Sequence, residues 1–360
     1  MTIHEPGQSI GGRYNILRYI AEGGMQEVYE ANDTLLSRRV ALKTPKTSSA
    51  KKRFKRSAET SARINHANVA KSLDYLEEDQ RFYLIEELIE GCDLGEIMRD
   101  RLDRLDPYLC AYVLHHIAKG LAASHHAGVV HRDLKPTNIM VQGAMGFAGI
   151  KITDFGIAKM AQEELKVVDG GDEDALTQSA TALGALPYMA PEMIDSFTTA
   201  GRPADIWSVG ALAFELLSGS KPFGTGYRAV PAIQAANLPA LPSEILVKPQ
   251  FGALSSEIHQ VIARCLKKNP SDRPDADALV GLCEQLCYSM QSRELGTIGH
   301  MPFATGGFIN VPGKSDVFFH MDSVPVGRVK PGDTVWFSKS PGAPRDRAFP
   351  VVPIKVREGV

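Results

Sequence analysis

Two lysines, two aspartates and an asparagine, Lys43, Asp133, Lys135, Asn138 and Asp154, stand in three short stretches, VALK, HRDLKPTN and DFG. Taken singly, each is an ordinary surface residue type. Taken together they supply cations, oxygen ligands for a metal and a carboxylate base. Phosphoryl transfer needs that set, because it depends on positioning and charge neutralisation more than on covalent help. A further carboxylate raises a separate question. In FYLIEELIEG, Phe82 to Gly91, strand alternation puts Phe82, Leu84, Glu86 and Leu88 on one face and Tyr83, Ile85, Glu87 and Ile89 on the other. Each otherwise apolar face carries one carboxylate, and a buried carboxylate must find a cation or take up a proton. Glu86 therefore needs a partner.

The elements that must position these groups follow from periodicity. Residues 14–44 alternate apolar and polar positions around a Gly pair and read as strands and turns, a basic helical stretch KKRFKRSAETSARI follows, and strands resume near residues 70–89. Helical patterns then dominate, from Pro107 to Ala127, around Asp205 to Ser218, and from Glu257 to Leu266. Residues 162–182, with DGGDED and several Ser and Thr, lack periodicity and suit a mobile loop. From Gly296 short strands recur between Pro/Gly turns (VPGKSD, VKPGD, SPGAPRD), the pattern of a small all-β barrel, so a boundary is expected near residue 292.

Bulk properties bound the function. A length of 360 residues implies about two domains, and 44% hydrophobic with 23% charged residues excludes a disordered or membrane-embedded chain. The five cysteines show neither metal spacing nor disulfide density, which points to reduced thiols; Cys283 and Cys287, four apart, read as two small residues on one helix face. No apolar run is long enough to cross a bilayer, and MTIHEPGQSIGG lacks a basic start followed by an apolar segment, so a cytoplasmic, unanchored chain is expected. The net charge of -2 is unevenly shared: residues 293–360 hold 9 Lys and Arg against 6 Asp and Glu, which leaves 31 against 36 for the rest. That asymmetry suggests a tail with its own partner.

Read in order, His131-Arg132-Asp133 with Leu134-Lys135-Pro136-Thr137-Asn138, then Asp154-Phe155-Gly156, then Ala190-Pro191-Glu192, resemble the catalytic loop, metal-binding triplet and activation-segment end of protein kinases. Upstream, Lys43 of VALK lies 15 residues after Val28 of the Gly-rich turn, as in that family's first three strands. Over about residues 14–289 the chain resembles a eukaryotic-like bacterial Ser/Thr protein kinase. The resemblance implies an α+β fold of two lobes, a small β-rich one and a large helical one. It also implies ATP and Mg²⁺ as cofactors and a protein Ser/Thr substrate. By position, Asp133 would take the substrate hydroxyl proton, Lys135 would steady the γ-phosphate, Asn138 and Asp154 would hold Mg²⁺, and Lys43 would grip the α- and β-phosphates. Val28 and Ala41 from above and Met140 from below would form the adenine slot, with the backbone of Glu87, Leu88 and Ile89 as hinge. Asp205 would brace the catalytic loop, and Glu192 and Arg273 would form a buried pair.

The chain also departs from the family. The Gly-rich loop reads AEGGMQEV: Ala21, Glu22, Gly23 and Gly24 lead to Val28, with Ala21 and Gln26 at the first and third glycine positions. Counting back from Asn65-His66-Ala67-Asn68-Val69, the helix position that pairs with the VALK lysine falls on Ser57; Glu59, two residues on, is roughly 200° around the helix. Glu86, just before the hinge, is expected to replace it as partner of Lys43. The alternative leaves Glu86 to pocket water and brings Glu59 to Lys43 by a local helix adjustment. Ala185 stands where Ser/Thr kinases carry a threonine, a loss of about 1 kcal/mol of hydrogen bonding. The loop between Gly156 and Ala190 holds Thr177, Ser179 and Thr181 as candidate autophosphorylation sites, and Arg132 resembles the arginine that clasps such a phosphate.

Residues 296–358, joined by a linker at 290–295, resemble a cold-shock domain, a five-stranded OB-type barrel, with GGFINV and VFFH as its ribonucleoprotein motifs and KPGDTVWF as a later strand. The resemblance implies single-stranded RNA or DNA as partner, stacked on Phe308, Phe318 and His320. His300 stands where the family has tryptophan, and Gly306 where it has an aromatic; a barrel kept as a protein-interaction or regulatory module is the alternative. For the whole chain the expectation is a kinase, against a pseudokinase scaffold or an ATP-sensing nucleic-acid-binding regulator.

Overall fold

In a computed structural model describing residues 2–22, 26–46, 51–155, 184–196 and 200–355, the alternating N-terminal segments form β1 (Ser9–Ile10), β2 (Tyr14–Glu22), β3 (Gln26–Asp33) and β4 (Arg38–Pro45). With β5 (Ser72–Glu78) and β6 (Arg81–Glu87) they make a six-stranded sheet in the order β1-β2-β3-β4-β6-β5. One face buries Tyr14, Tyr29, Leu42, Tyr83 and Ile85; on the other, Leu84 meets Phe54 and Ala58 of α1 (Lys51–Ser61). The two faces of β6 are thus apolar, as its alternation implies, apart from the carboxylates near its end.

The chain leaves β6 through residues 88–90 into β7 (Gly91–Asp93), which joins β8 (Ile139–Gln142) and β9 (Gly149–Ile152) in a three-stranded sheet. Among the described residues, the helices of the large lobe are α2 (Leu94–Asp100), α3 (Pro107–His126), α4 (Pro191–Asp195), α5 (Arg202–Ser218), α6 (Val230–Ala235), α7 (Ser243–Leu246), α8 (Pro249–Cys265) and α9 (Ala276–Glu284). Proline in the first turn and the Asp106 cap start α3, which is apolar nearly all round and runs through the core. At Gly210 of α5 a β-carbon would stand 2.7 Å from that of Cys265, so the glycine lets α5 and α8 cross closely. Two sequence expectations shift here. The α8 helix begins at Pro249 rather than near Glu257, and α9 ends at Glu284, so buried Cys283 and exposed Cys287 do not share a helix face: Leu286 turns inward and Cys287 lies beyond the end.

The last part is a closed barrel of β10 (Arg293–Ile298), β11 (Gly306–Asn310), β12 (Val317–His320), β13 (Thr334–Ser340) and β14 (Arg347–Pro353), in the order β10-β11-β12-β14-β13. Its own core contains Ile298, Ile309, Phe319, Val335, Phe337 and Val351. Outward-facing Trp336 and Val352 instead belong to the core of the large lobe. Trp336 lies 5.7 Å from Phe147, Phe349 stacks at 5.3 Å on Phe251 and meets Tyr108 edge-on, and Arg293 donates to Asp106 at 2.7 Å with both side chains buried. Lys355 donates to the carbonyl of Met98 at 3.0 Å near the end of α2 and pairs with Asp103 at 2.8 Å. The barrel is docked on the large lobe by a buried ion pair and aromatic packing.

Candidate active site

Sheet register places the first group of site residues. Val28 lies opposite Lys43 on β3 and β4, and Ala41 lies opposite Glu86 on β4 and β6. Lys43, two residues after Ala41, shares a face with Glu86 as its diagonal cross-strand neighbour, within reach of a long side chain. The Lys43 ammonium donates to Glu86 Oε2 at 2.6 Å and to Asp154 Oδ1 at 2.8 Å. Burial alone would lower its pKa, but Asp154 and Glu86 overcome that and hold it above the ordinary lysine value. Burial raises the Glu86 carboxyl, with Lys43 opposing; for Asp154 the attraction of Lys43 outweighs burial and keeps it below the ordinary aspartate value. The question posed by FYLIEELIEG has a geometric answer: Glu86 is paired with Lys43. Glu59, the one acidic residue of α1, is exposed and is not among the partners of Lys43. Glu87, on the opposite face, accepts from Lys151 at 2.8 Å and from the Lys71 backbone N–H at 2.8 Å.

The segment 131–138 supplies the second group. Asp205, fully buried in the first turn of α5, accepts the backbone N–H of His131 at 2.8 Å and of Arg132 at 2.7 Å, and His125 Nε2 lies 2.9 Å from it. The His131 ring lies 2.8 Å from the carbonyl of Thr153 and 4.5 Å from the Phe155 ring, linking this loop to the one bearing Asp154. Arg132 and Asp154 adopt positive φ, +66° and +61°, each at a cost of roughly 1–3 kcal/mol that the surrounding bonds sustain. Asp133 Oδ2 accepts from Lys135 at 2.8 Å and from Asn138 Nδ2 at 3.0 Å. The Asn138 amide also donates to the Asp133 carbonyl at 2.7 Å. These two acceptors turn Asn138 Nδ2 toward Asp133, and its Oδ1 has no partner among the described residues.

One contact to Asp154 escaped the sequence reading. Gln26, at the third glycine position, is buried and donates to Asp154 Oδ1 at 3.0 Å, alongside Lys43. Both donors use Oδ1, so Oδ2 of Asp154 has no partner among the described residues. The only signal was that a polar side chain stood where the family has glycine.

The remaining pocket residues surround these groups. Val28 and Met140 are half-buried and Ala41 is buried. Among the described residues, no hydrogen bond engages the backbone of Leu88 or Ile89, so this connection has donors and acceptors to offer a ligand. Ala21 and Glu22 are exposed, Glu22 pairing with Lys46 at 2.9 Å, while Gly23 and Gly24 lie outside the described residues. So do Thr177, Ser179 and Thr181. Arg273 grips Glu192 with two bonds, at 2.6 and 2.8 Å; the arginine is buried and the glutamate partly exposed, so the pair is buried on one side only. Ala185 is buried and offers no hydroxyl.

On the barrel, Phe308 and Phe318 face each other across β11 and β12 at 5.8 Å, with Arg345 5.4 Å over Phe308 and Arg347 6.0 Å over Phe318. His300 and His320 are exposed nearby in the chain. At Gly306 a β-carbon would stand 2.5 Å from the Phe319 carbonyl, so an aromatic there would clash with β12. Arg345, just before β14, and Arg347, its first residue, were not singled out from sequence.

Known proteins extend this picture. The family described as Protein kinase domain matches residues 14–282. The chain is 37% identical over 234 residues to "Probable serine/threonine-protein kinase pknA2" of Bifidobacterium longum, covering 62% of this chain and 28% of that protein. It is 33% identical over 291 residues to "Serine/threonine-protein kinase PknA" of Mycobacterium tuberculosis, 77% of this chain and 62% of that protein. The chain therefore spans less than two thirds of these curated relatives. A crystal structure of a mutant PknI kinase domain of Mycobacterium tuberculosis superposes with a TM-score of 0.58 at 22% identity, covering 79% of this chain and 99% of that one, a likeness of fold. No helix among the described residues is long and apolar enough to cross a membrane. With the family matched over most of the chain, the chain belongs to the protein kinase family and is related to its bacterial Ser/Thr members.

Proposed function

We propose that this chain is an active Mg·ATP-dependent protein Ser/Thr kinase. The observation that carries the reading is the convergence of Lys43, Asp133, Lys135, Asn138 and Asp154, held by bonds of 2.7–3.0 Å, on one cleft. Asp133 accepts the proton of the substrate hydroxyl, Lys135 offsets charge on the transferred phosphoryl group, and Lys43 holds the α- and β-phosphates. Asn138 Oδ1 and Asp154 Oδ2, two hard oxygens left free by their neighbours, fit Mg²⁺, which takes few protein ligands and completes its shell with phosphate and water. Bound there, the metal would neutralise phosphate charge. The unengaged backbone of Leu88 and Ile89 suits an adenine edge, and Gly23 and Gly24 would let the loop approach the phosphates.

The decisive test compares the wild type with Asp133→Ala, following Mg²⁺-dependent label transfer from γ-labelled ATP to the chain or to a Ser/Thr peptide. Loss of the base lowers the rate roughly 10²–10⁴-fold while nucleotide binding persists. Nucleotide binding without transfer by the wild type supports a pseudokinase scaffold or an ATP-sensing regulator instead. Autophosphorylation is expected on Thr177, Ser179 or Thr181, with Arg132 as the receiving cation; its Nε is buried without a partner among the described residues.

For the barrel, the reading is an OB-type module that takes single-stranded RNA or DNA on Phe308, Phe318 and His320. The supporting observation is that the two rings stay partly exposed beside exposed Arg345 and Arg347, while Trp336 and Val352 of the barrel are taken up in the core of the large lobe.

A further inference from the structure

We infer that Glu86 is a positioning residue for phosphoryl transfer: it anchors Lys43 from within the sheet, so that the lysine is held without a carboxylate from α1. This rests on the kinase reading above. Three observations carry it. The pair is short, 2.6 Å, and both side chains are nearly enclosed, at 8% and 7% exposure. Its geometry comes from the antiparallel register of β4 and β6, with Ala41 opposite Glu86 and Lys43 two residues along the same face. Finally, α1 has a single acidic residue, Glu59, and it is exposed.

The physical consequence lies in what sets the lysine's position. A carboxylate on a separate helix holds the lysine only while that helix is docked. A carboxylate on a hydrogen-bonded neighbouring strand holds it whenever the sheet exists. Here α1 is attached through Phe54 and Ala58 packed on Leu84 and through a 2.8 Å bond between the Ser61 and Ser72 hydroxyls, contacts that can shift without breaking an ion pair to Lys43. Lys43 also reaches Asp154. Glu86 on one side and Asp154 on the other fix the ammonium between the sheet and the metal-binding loop before nucleotide arrives. A switch that worked by swinging α1 would have no charged link to the lysine.

The test uses the full chain, γ-labelled ATP with Mg²⁺ and a Ser/Thr peptide, and compares Glu86→Gln, Glu59→Gln, Lys43→Met and the double variant Lys43→Met/Glu86→Gln. For Glu86→Gln, kcat falls by roughly 10²-fold, the scale of an ångström misplacement of a positioning group, with a smaller change in KM for ATP. Glu59→Gln stays within about twofold of the wild type, since surface substitutions away from special features have small effects. Because Glu86 acts through Lys43, the double variant is no slower than Lys43→Met alone. Near-normal kcat in Glu86→Gln, collapse in Glu59→Gln, or losses that multiply in the double variant would each overturn the assignment. A stability cycle covers the case in which Glu86→Gln folds poorly: Lys43→Met leaves Glu86 and Asp154 without their cation, so Lys43→Met/Glu86→Leu, which removes one of those carboxylates, should melt above Lys43→Met, and a double variant that melts no higher sinks the pairing. A wild type that binds nucleotide but transfers no phosphate fails the kinase reading, and the stability cycle still judges the pair.

Discussion

In the cleft, Lys43, Glu86 and Asp154 are packed against one another within the protein, whereas on the open side of the barrel Arg345 and Arg347 lie over Phe308 and Phe318 and face water. The first arrangement uses charges to fix one another, so removing Lys43 leaves two carboxylates without their cation. The second holds cations over rings, where a flat π-faced ligand could replace them at little cost. A third zone separates the two behaviours: on the docked side of the barrel, Arg293 is enclosed with Asp106 and lies 4.4 Å over the ring of Trp336. The barrel therefore has a built, dry side and an available, wet one.

The sharpest way to break this contrast is Arg293→Ala. Asp106 would be left buried without its cation, and denaturant unfolding should report a loss of about 3–5 kcal/mol. A change within a few tenths would mean that the dock is a surface contact like any other. On the wet side, Phe308→Ala or Phe318→Ala should weaken binding of a fluorescent single-stranded oligonucleotide by roughly 1–3 kcal/mol each without altering peptide phosphorylation. Absence of binding by the wild type even at low salt would favour a protein-interaction or regulatory barrel.

The mildest probe lies outside both regions. Hydrogen bonds from the Arg13 guanidinium hold Asp33 at a pKa of about 2, against 3.8 ordinarily. A carboxyl with a depressed folded-state pKa stabilises above its unfolded value and loses that contribution as pH falls through the folded one. The stability difference between the wild type and Asp33→Asn should therefore be constant above about pH 5 and shrink as pH falls toward 2, read from urea midpoints at several pH values.

Much of the cleft was legible because chemistry restricts residue type. HRDLKPTN and DFG carry a set of groups that few reactions besides phosphoryl transfer require together, and Glu86 was conspicuous because β alternation left a carboxylate on an apolar face. Gln26 was illegible for the converse reason: its contribution is a contact with Asp154, distant in sequence, and from the chain alone it looked like a missing glycine. The barrel's strands could be read from their turns, but its orientation could not. Trp336 alternates with Val335 and Phe337 like any strand residue, and only tertiary packing reveals that it points into the neighbouring lobe. Helix ends were misjudged where local signals competed, as at Pro249, whose ring suits a first turn but reads from sequence as a break.

The Lys43–Glu86 pair also bears on small-molecule design. With a carboxylate and an ammonium across the rear wall of the proposed nucleotide slot, a greasy extension pushed into that space would desolvate both ions without offering either a new partner. Compounds that end there in an amine or amidine, matched to the acid, are the better starting chemistry, and selectivity over enzymes with an apolar rear wall would follow from the same two atoms.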